Sequence, residues 1–304
     1  MTAENTGDFP YEPLRQPSGP ETRAQYWRTA AGLQAVDGLT LSPYTEALAR
    51  DYIEGKQSAA EMSELVKIYY REKSISPTSA ATRADNDAEH EADAVSCRIV
   101  EILERNAFAF APFMLDEIHR QLFQDLDPTV YHPGVHKTAQ LGKSELILNG
   151  DSVLYSDPSM IDGALAFAFS EEDDYAYHVE FDDAQIDHLS RFVSRLWQVH
   201  PFCEGNTRTI AVFTILYLRH LGFDADNEPF EKHARYFRDA LVRANYRNAK
   251  ADALPDRTFL NRFFENLLAG GKNELRSRDL MVKTLFDNPT LLRNVEPSRA
   301  IKTR

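Results

Sequence analysis

A polar turn between two helices is the feature that most constrains this chain. Its residues read His200-Pro201-Phe202-Cys203-Glu204-Gly205-Asn206-Thr207-Arg208. Apolar residues at helical spacing precede it, and Pro201 ends that helix directly after His200. The stretch that follows, Ile210 to Leu218, is almost entirely apolar and predicts a second helix. The histidine therefore stands at the exit of one helix, and the turn opens the next.

The start of the second helix offers a site for an anion. Its first N–H groups have no partner within the helix, and the helix dipole adds positive charge there. Gly205 lets the backbone approach a ligand, Asn206 can donate an amide hydrogen bond, and Arg208 offers a fork of donors to phosphate oxygens. Glu204 is an oxygen ligand of the kind that Mg²⁺ accepts, and His200 suits a general base. Nucleotidyl transfer requires this combination of base, metal and phosphate donors.

Helical periodicity predominates in the rest of the chain. Three short helices are expected within residues 21–73, and apolar residues return to helical spacing after residue 95. The exception is Asn149-Gly150, where two apolar arms flank the strongest short-range signal for a hairpin. The sequence thus predicts a mainly α fold with one β-hairpin, preceded by a small three-helix domain.

Composition divides the chain into five parts. We expect a polar leader (1–20), the three-helix segment (21–73), a linker rich in small and acidic residues (74–94), the main domain (95–268) and a C-terminal extension (269–304). From residue 272 onward this extension holds eight Lys and Arg against four Asp and Glu, so it is locally basic. A solvated tail is the simpler interpretation, and a partner-binding arm is its alternative.

The overall composition excludes several classes of protein. The chain has 34 Lys and Arg against 47 Asp and Glu, a net charge of −13, which is the wrong sign for a general nucleic-acid binder. The stretch Ile210 to Leu218 is far shorter than the roughly 18 apolar residues that a membrane span requires. Cys97 and Cys203 are too few for a disulfide framework or a thiolate metal site. We expect a cytoplasmic protein, with translocation as an effector as the alternative.

The turn closely resembles the signature of Fic-domain proteins, His-x-Phe-x-(Asp/Glu)-Gly-Asn-Gly-Arg-x-x-Arg. Six of its eight defined positions match in unbroken register, namely His200, Phe202, Glu204, Gly205, Asn206 and Arg208. Thr207 stands where the signature has its second glycine, and Ala211 where it has its final arginine. The resemblance covers about residues 95–268 and implies a Fic-type helical bundle with a β-hairpin flap before the motif.

The resemblance implies a protein adenylyltransferase, which moves AMP from ATP to a Ser, Thr or Tyr hydroxyl of a target protein. It implies His200 as the base, Phe202 as an anchor of the turn and Glu204 as the Mg²⁺ ligand. The phosphates would be held by Gly205, Asn206, Thr207 and Arg208. The flap would dock the target segment as an added strand, and its candidate residues are Leu146, Ile147, Leu148, Val153 and Leu154.

The N-terminal three-helix segment resembles the small antitoxins of Fic toxins, here fused in front of the toxin domain. Their inhibitory helix carries Ser/Thr-x-x-x-Glu-Gly, and this chain has Leu33 and Asp37 at the Ser and Glu positions. In the family that glutamate pairs with the arginine that Ala211 replaces here. The resemblance implies Asp37 as the inhibitory residue, and the alternative is an Asp that simply ends a helix beside Gly38.

The two departures from the motif leave other functions open. One is a catalytically silent binding module derived from a Fic protein, and another is transfer of a different nucleotide or of a phosphoryl group. Zinc is disfavoured, because no second His or Cys lies at ligand spacing from His200 and Glu204. ATP labelled at its α-phosphate or its γ-phosphate distinguishes these reactions.

Overall fold

The computed structural model describes residues 18–74, 80–178, 181–223 and 228–293, and these residues are mostly helical. The α-helices are α1 (Pro20–Gln34), α2 (Pro43–Ile53), α3 (Ala59–Lys73), α4 (Ala80–Arg105), α5 (Phe113–Phe123), α6 (Pro128–Tyr131), α7 (Ile161–Asp173), α8 (Asp183–Val199), α9 (Asn206–His220), α10 (Glu228–Asn245), α11 (Thr258–Leu268) and α12 (Lys283–Asp287). The predicted mainly α class is confirmed. Among the described residues, no helix combines the length and hydrophobicity needed to cross a membrane.

Helix α9 lies at the centre of the core. Every residue from Asn206 to Leu218 is buried, and the helix packs against α4, α5 and α8. Helix α8 begins at a capping box, in which Asp182 accepts from the backbone of Gln185 and the Gln185 side chain accepts from the Asp182 backbone. The two helices meet at the turn, so the turn is held by the best-packed part of the fold.

The three predicted N-terminal helices are confirmed, and the first of them also belongs to the main core. Ser42 caps α2, and Ser58 forms a capping box with Glu61 at the start of α3. Helix α1 packs against α4 and α10. At Gly32 it passes so close to the backbone of Glu231 that a Cβ atom would overlap it. The end of α1 is therefore fixed relative to the rest of the molecule.

The linker predicted for residues 74–94 is wrong for residues 80–94, which form the first half of α4. The physical reason is that acidic side chains of this half bond to the N-terminal helices. Asp93 is buried and accepts hydrogen bonds from Ser42 N (2.9 Å), Ser42 Oγ (2.5 Å) and Tyr70 Oη (2.6 Å). Glu89 pairs with Lys73. Residues 75–79 lie outside the described part of the chain.

The β-hairpin predicted at Leu146 to Leu154 is wrong, because the structure assigns no strand to residues 144–155, here called the flap loop. Asn149-Gly150 does reverse the chain, with positive φ angles of 53° and 89°. However, Leu146–Leu148 form a single 3-10 turn, and Gly150 N and Asp151 O both bond to the backbone of Glu145. The loop closes on itself through these bonds near its tip, and no ladder of backbone bonds continues along its two arms.

The C-terminal extension is ordered against the core as far as residue 293. Leu280, Val282 and Leu285 are buried, and Val282 N donates to Ile147 O of the flap loop (3.0 Å). The solvated tail predicted for 269–304 is therefore wrong for this described part. Residues 294–304, like residues 1–17 of the polar leader, lie outside the described residues.

Asp93→Ala is expected to lower the free energy of unfolding by about 2–3 kcal/mol, because it leaves buried donors of Ser42 and Tyr70 without their acceptor. Urea denaturation measures this loss. Asp87→Ala removes an exposed carboxylate from the same helix and serves as the matched control, with an expected change within about 0.5 kcal/mol. If the two substitutions lowered the free energy of unfolding equally, Asp93 would not be the residue that links α4 to α2 and α3.

Candidate active site

The turn after α8 forms one wall of a narrow cleft, with an enclosed volume of about 20 Å³, that also receives the end of the α1 segment and the flap loop. The cleft brings together most of the residues predicted from the sequence, namely Asp37, His200, Glu204, Gly205, Asn206 and Thr207. Arg208 lies behind the wall and reaches the cleft through Asp37. The predicted flap residues do not line the cleft, whose wall takes Glu145 and Tyr155 from that loop.

His200 is the C-cap of α8 and adopts the left-handed backbone conformation, with φ 51° and ψ 60°. Its ring stacks on Tyr155 at 3.8 Å between centroids and meets Trp197 edge to face at 5.7 Å. Burial, then the positive charges of Lys137 and Lys143, hold the pKa of His200 well below its usual value. Its Nδ1 is buried and has no hydrogen-bond partner among the described residues. The imidazole is therefore neutral and has a free lone pair, but its lowered pKa makes it a weaker base than an exposed histidine.

Lys137, which the sequence gave no reason to single out, is buried close to His200. Its backbone N–H donates to Pro201 O (2.7 Å), and its Nζ lies 5.6 Å from the centre of the Tyr155 ring. Burial lowers the pKa of Lys137 to about 8, and its Nζ has no hydrogen-bond partner within the described residues. The residue adds positive charge behind the histidine.

The side chain of Asn206 closes the turn. Its Oδ1 accepts from Phe202 N (3.0 Å) and its Nδ2 donates to Phe202 O (2.8 Å). The side-chain amide of Asn206, which the sequence analysis expected to donate to a ligand, therefore donates within the turn instead. The donors that α9 offers to a ligand are the backbone N–H groups of its first turn.

Phe202 anchors the turn through a second histidine that the sequence did not single out. Its ring is buried and stacks on His119 at 3.9 Å, nearly parallel at 9°. Gly134 N donates to His119 Nδ1 (2.9 Å), so Nε2 carries the proton that is donated to Glu204 O (3.1 Å). Burial lowers the pKa of His119 to about 3, which keeps this arrangement neutral. A lone histidine on the apolar face of α5 gives no sequence signal for this role.

The glycine and threonine of the turn have separate packing roles. Gly205 has φ 71°, and a Cβ atom there would overlap the ring of Phe123. Thr207, at the position of the motif's second glycine, accepts a hydrogen bond from Trp197 Nε1 at its Oγ1 (2.9 Å). The Thr207 hydroxyl is thereby bonded to the end of α8. Ala211 is fully buried in α9 and contributes no charge.

Arg208 is held by side chains from the N-terminal half of the chain. It is 1% exposed, donates to Gln34 Oε1 (3.1 Å) and to Glu91, and pairs with Asp37 Oδ2 (3.2 Å). The other oxygen of Asp37, Oδ1, lies 3.1 Å from Lys143 Nζ. The predicted inhibitory residue therefore reaches the site and bridges two cations.

The three acids of the cleft differ in their pKa values. Burial alone would raise the pKa of Asp37, but Arg208 and Lys143 outweigh it and hold the value at about 2. Burial raises the pKa of Glu145 even though its carboxylate pairs with Arg238 at 2.6 Å. Burial likewise raises the pKa of Glu204, the third carboxylate of the cleft wall. No cluster of three or more His, Cys, Asp or Glu residues able to hold a metal occurs in the described part of the chain.

Comparison with known proteins finds a family model that matches the part of the chain containing this turn. Residues 110–218, which run from just before α5 into α9, match the model of the Fic/DOC family. The match covers 109 of the 304 residues of the chain.

The probable protein adenylyltransferase y4lH of Sinorhizobium fredii (strain NBRC 101917 / NGR234) is 29% identical to this chain over 128 residues. That alignment covers 42% of this chain and 61% of the relative, less than two thirds of the relative's length. A Fic family protein from Desulfovibrio desulfuricans G20 superposes with a TM-score of 0.42 and 14% identity, covering 93% of this chain and 79% of the other.

Gly205→Ala in the Fic/DOC turn is expected to destabilise the protein by about 2–4 kcal/mol, because a Cβ atom adds an overlap with Phe123 to the strain of a positive φ. Gly222→Ala is the matched control, since Gly222 also has a positive φ (88°) but open space around it. The control is expected to cost about 1 kcal/mol. Thermal unfolding of both variants measures the difference, and equal losses would contradict close packing of the turn on α5.

Proposed function

We propose that this protein is an adenylyltransferase that moves AMP from ATP to a Ser, Thr or Tyr hydroxyl of a target protein, restrained by its own N-terminal segment. The observation that carries the proposal is one cleft wall with a neutral buried imidazole, a carboxylate and the start of α9. The match to the Fic/DOC family model and the similarity to the probable protein adenylyltransferase y4lH support the same reaction class.

In the proposed reaction, the oxygen of the target hydroxyl attacks the α-phosphorus of ATP while His200 accepts the proton of that hydroxyl. A new P–O bond forms, the bond to the leaving oxygen breaks, and pyrophosphate carries away the negative charge. The N–H groups at the start of α9 stabilise the charge on the transferred phosphate. The left-handed conformation of His200 and its stacking on Tyr155 fix the position of the ring.

The residues present fit a magnesium ion bound jointly with the triphosphate. Glu204 offers a hard carboxylate oxygen next to the anion site, and Mg²⁺ in nucleotide sites needs few protein ligands besides phosphates and water. A bound Mg²⁺ would neutralise part of the negative charge of the phosphates. His119 orients this part of the chain through its bond to Glu204 O.

Asp37 supplies the proposed restraint. Its carboxylate lies against Lys143 and Arg208, which are cations that would otherwise attract phosphate oxygens. Since α1 packs against α4 and α10, the restraint is part of the folded core. A single substitution tests it better than deletion of the segment, which would expose those two helices.

His200→Ala is expected to reduce transfer of α-labelled phosphate to protein at least 100-fold, because it removes the general base. His220→Ala, at the exposed end of α9, is the control and should retain wild-type transfer. Incubation with α-labelled and γ-labelled ATP in parallel measures both variants. The proposal fails if labelling survives in His200→Ala; γ-label would instead indicate a kinase, and absence of both labels a binding module.

Asp37→Ala is expected to raise the rate of α-labelling roughly tenfold, within the range of ordinary coupling between sites. Loss of the carboxylate frees Lys143 while Arg208 keeps its bond to Glu91. Asp51 lies on the neighbouring α2 and pairs with Lys56 at the surface, so Asp51→Ala is the matched control. Unchanged labelling in Asp37→Ala would remove the case for restraint.

A further inference from the structure

The carboxylate of Asp37 marks an anion site built by two cations from different parts of the chain. Its Oδ1 lies 3.1 Å from Lys143 Nζ and its Oδ2 lies 3.2 Å from Arg208 Nη2. Lys143 comes from the segment between α6 and α7, and Arg208 from the first turn of α9. A phosphate group is tetrahedral rather than planar, but like the carboxylate it presents two negatively charged oxygens on one central atom to a pair of cations.

The cations near the cleft differ in how available they are to a ligand. Arg208 is 1% exposed and keeps Glu91 and Gln34 as partners if Asp37 moves away. Arg238 is committed to a buried pair with Glu145. The side chain of Lys143 is 36% exposed, and it lines the cleft.

Lys143 is also well positioned for this role by its backbone. Its N–H donates to Ser152 Oγ of the flap loop (3.1 Å), which fixes the base of its side chain. Asp37 is its ion-pair partner within the described residues. Departure of Asp37 therefore leaves a cation facing the cleft, and the buried Ala211 of α9 cannot supply that charge.

We propose that Lys143 binds a phosphate group of the nucleotide's triphosphate, at the position that the Asp37 carboxylate occupies in this structure. Asp37 and the nucleotide then compete for one lysine. This inference rests on the function proposed above and names the residue that holds its nucleotide.

Binding of ATP in the presence of Mg²⁺, measured by calorimetry on the full chain, tests this inference. Asp37→Ala is the reference, because it vacates the site. Adding Lys143→Ala is expected to weaken ATP binding about tenfold or more, the usual effect of losing a charged hydrogen bond. Adding Lys143→Arg should restore affinity to within about threefold, since it keeps the charge. Adenosine, which has no phosphate, should bind equally to all three proteins.

A control lysine guards against a general effect of net charge. Lys67 lies on α3, is 53% exposed and does not line the cleft, so adding Lys67→Ala to Asp37→Ala should leave ATP affinity unchanged. The inference is overturned if Lys143→Ala changes ATP affinity less than twofold, if it weakens adenosine as strongly, or if the Asp37→Ala reference binds no ATP. Near-identical thermal midpoints verify that the partly exposed Lys143 is not needed for folding.

Failure of this inference and failure of the proposed function give different results. Calorimetry needs neither a target protein nor transfer. ATP binding that depends on Lys143, without any α-labelling of protein, supports the phosphate site and overturns the adenylyltransferase. If labelling depends on His200 but ATP affinity does not change in Lys143→Ala, the adenylyltransferase is supported and the phosphate site at Lys143 is overturned.

Discussion

The guanidinium of Arg208 is buried at the point where the N-terminal helices meet the turn, and its charge must be compensated there. A buried cation without an anion is strongly destabilising, whereas a paired one is tolerated. Compensation comes from Asp37 after α1 and Glu91 on α4, with Gln34 completing the hydrogen bonds. The N-terminal segment and the Fic/DOC turn thus share one electrostatic unit. Because two carboxylates face one arginine, one of them can leave without stranding the charge.

Cations and carboxylates are paired along the cleft. Lys143 and Arg238 line it together with Asp37, Glu145 and Glu204, and Lys143 pairs with Asp37 while Arg238 pairs with Glu145. Burial, and after it the positive charges of Lys137 and Lys143, lower the pKa of His200 and keep the imidazole neutral. A phosphate at this wall would therefore compete with a carboxylate for its cation.

The sequence predicted the helices and the turn because both depend on local signals. Caps at Ser42 and Ser58 and the apolar run of α9 are readable over a few residues. Asp37 was also singled out from the sequence, through the resemblance of Leu33 to Gly38 to the inhibitory motif of the small antitoxins. The features that were missed depend on contacts between distant residues. No local pattern places Lys137 beside His200, or His119 beneath Phe202.

Two of the three wrong structural predictions, the hairpin and the linker, have the same origin. Asn149-Gly150 turned the chain as expected, but Ile147 O is bonded to Val282 N, so the arms had other partners. The acidic stretch before residue 94 looked solvated, but Asp93 is the buried acceptor for two other helices. Turn chemistry and composition describe local preference, and long-range pairing decided the outcome in both places.

The C-terminal segment is hydrogen-bonded to the flap loop. Asn149 Nδ2 donates to Leu285 O (2.9 Å), and Arg293 pairs with the buried Asp151 (3.4 Å). These contacts lie 67 and 75 residues beyond the end of the Fic/DOC match, and they fix the loop that carries Glu145 and Tyr155 to the cleft. Removing the segment that carries Leu285 and Arg293 would therefore loosen the wall of the cleft opposite the turn, while α4, α5 and α8 continue to hold the turn itself.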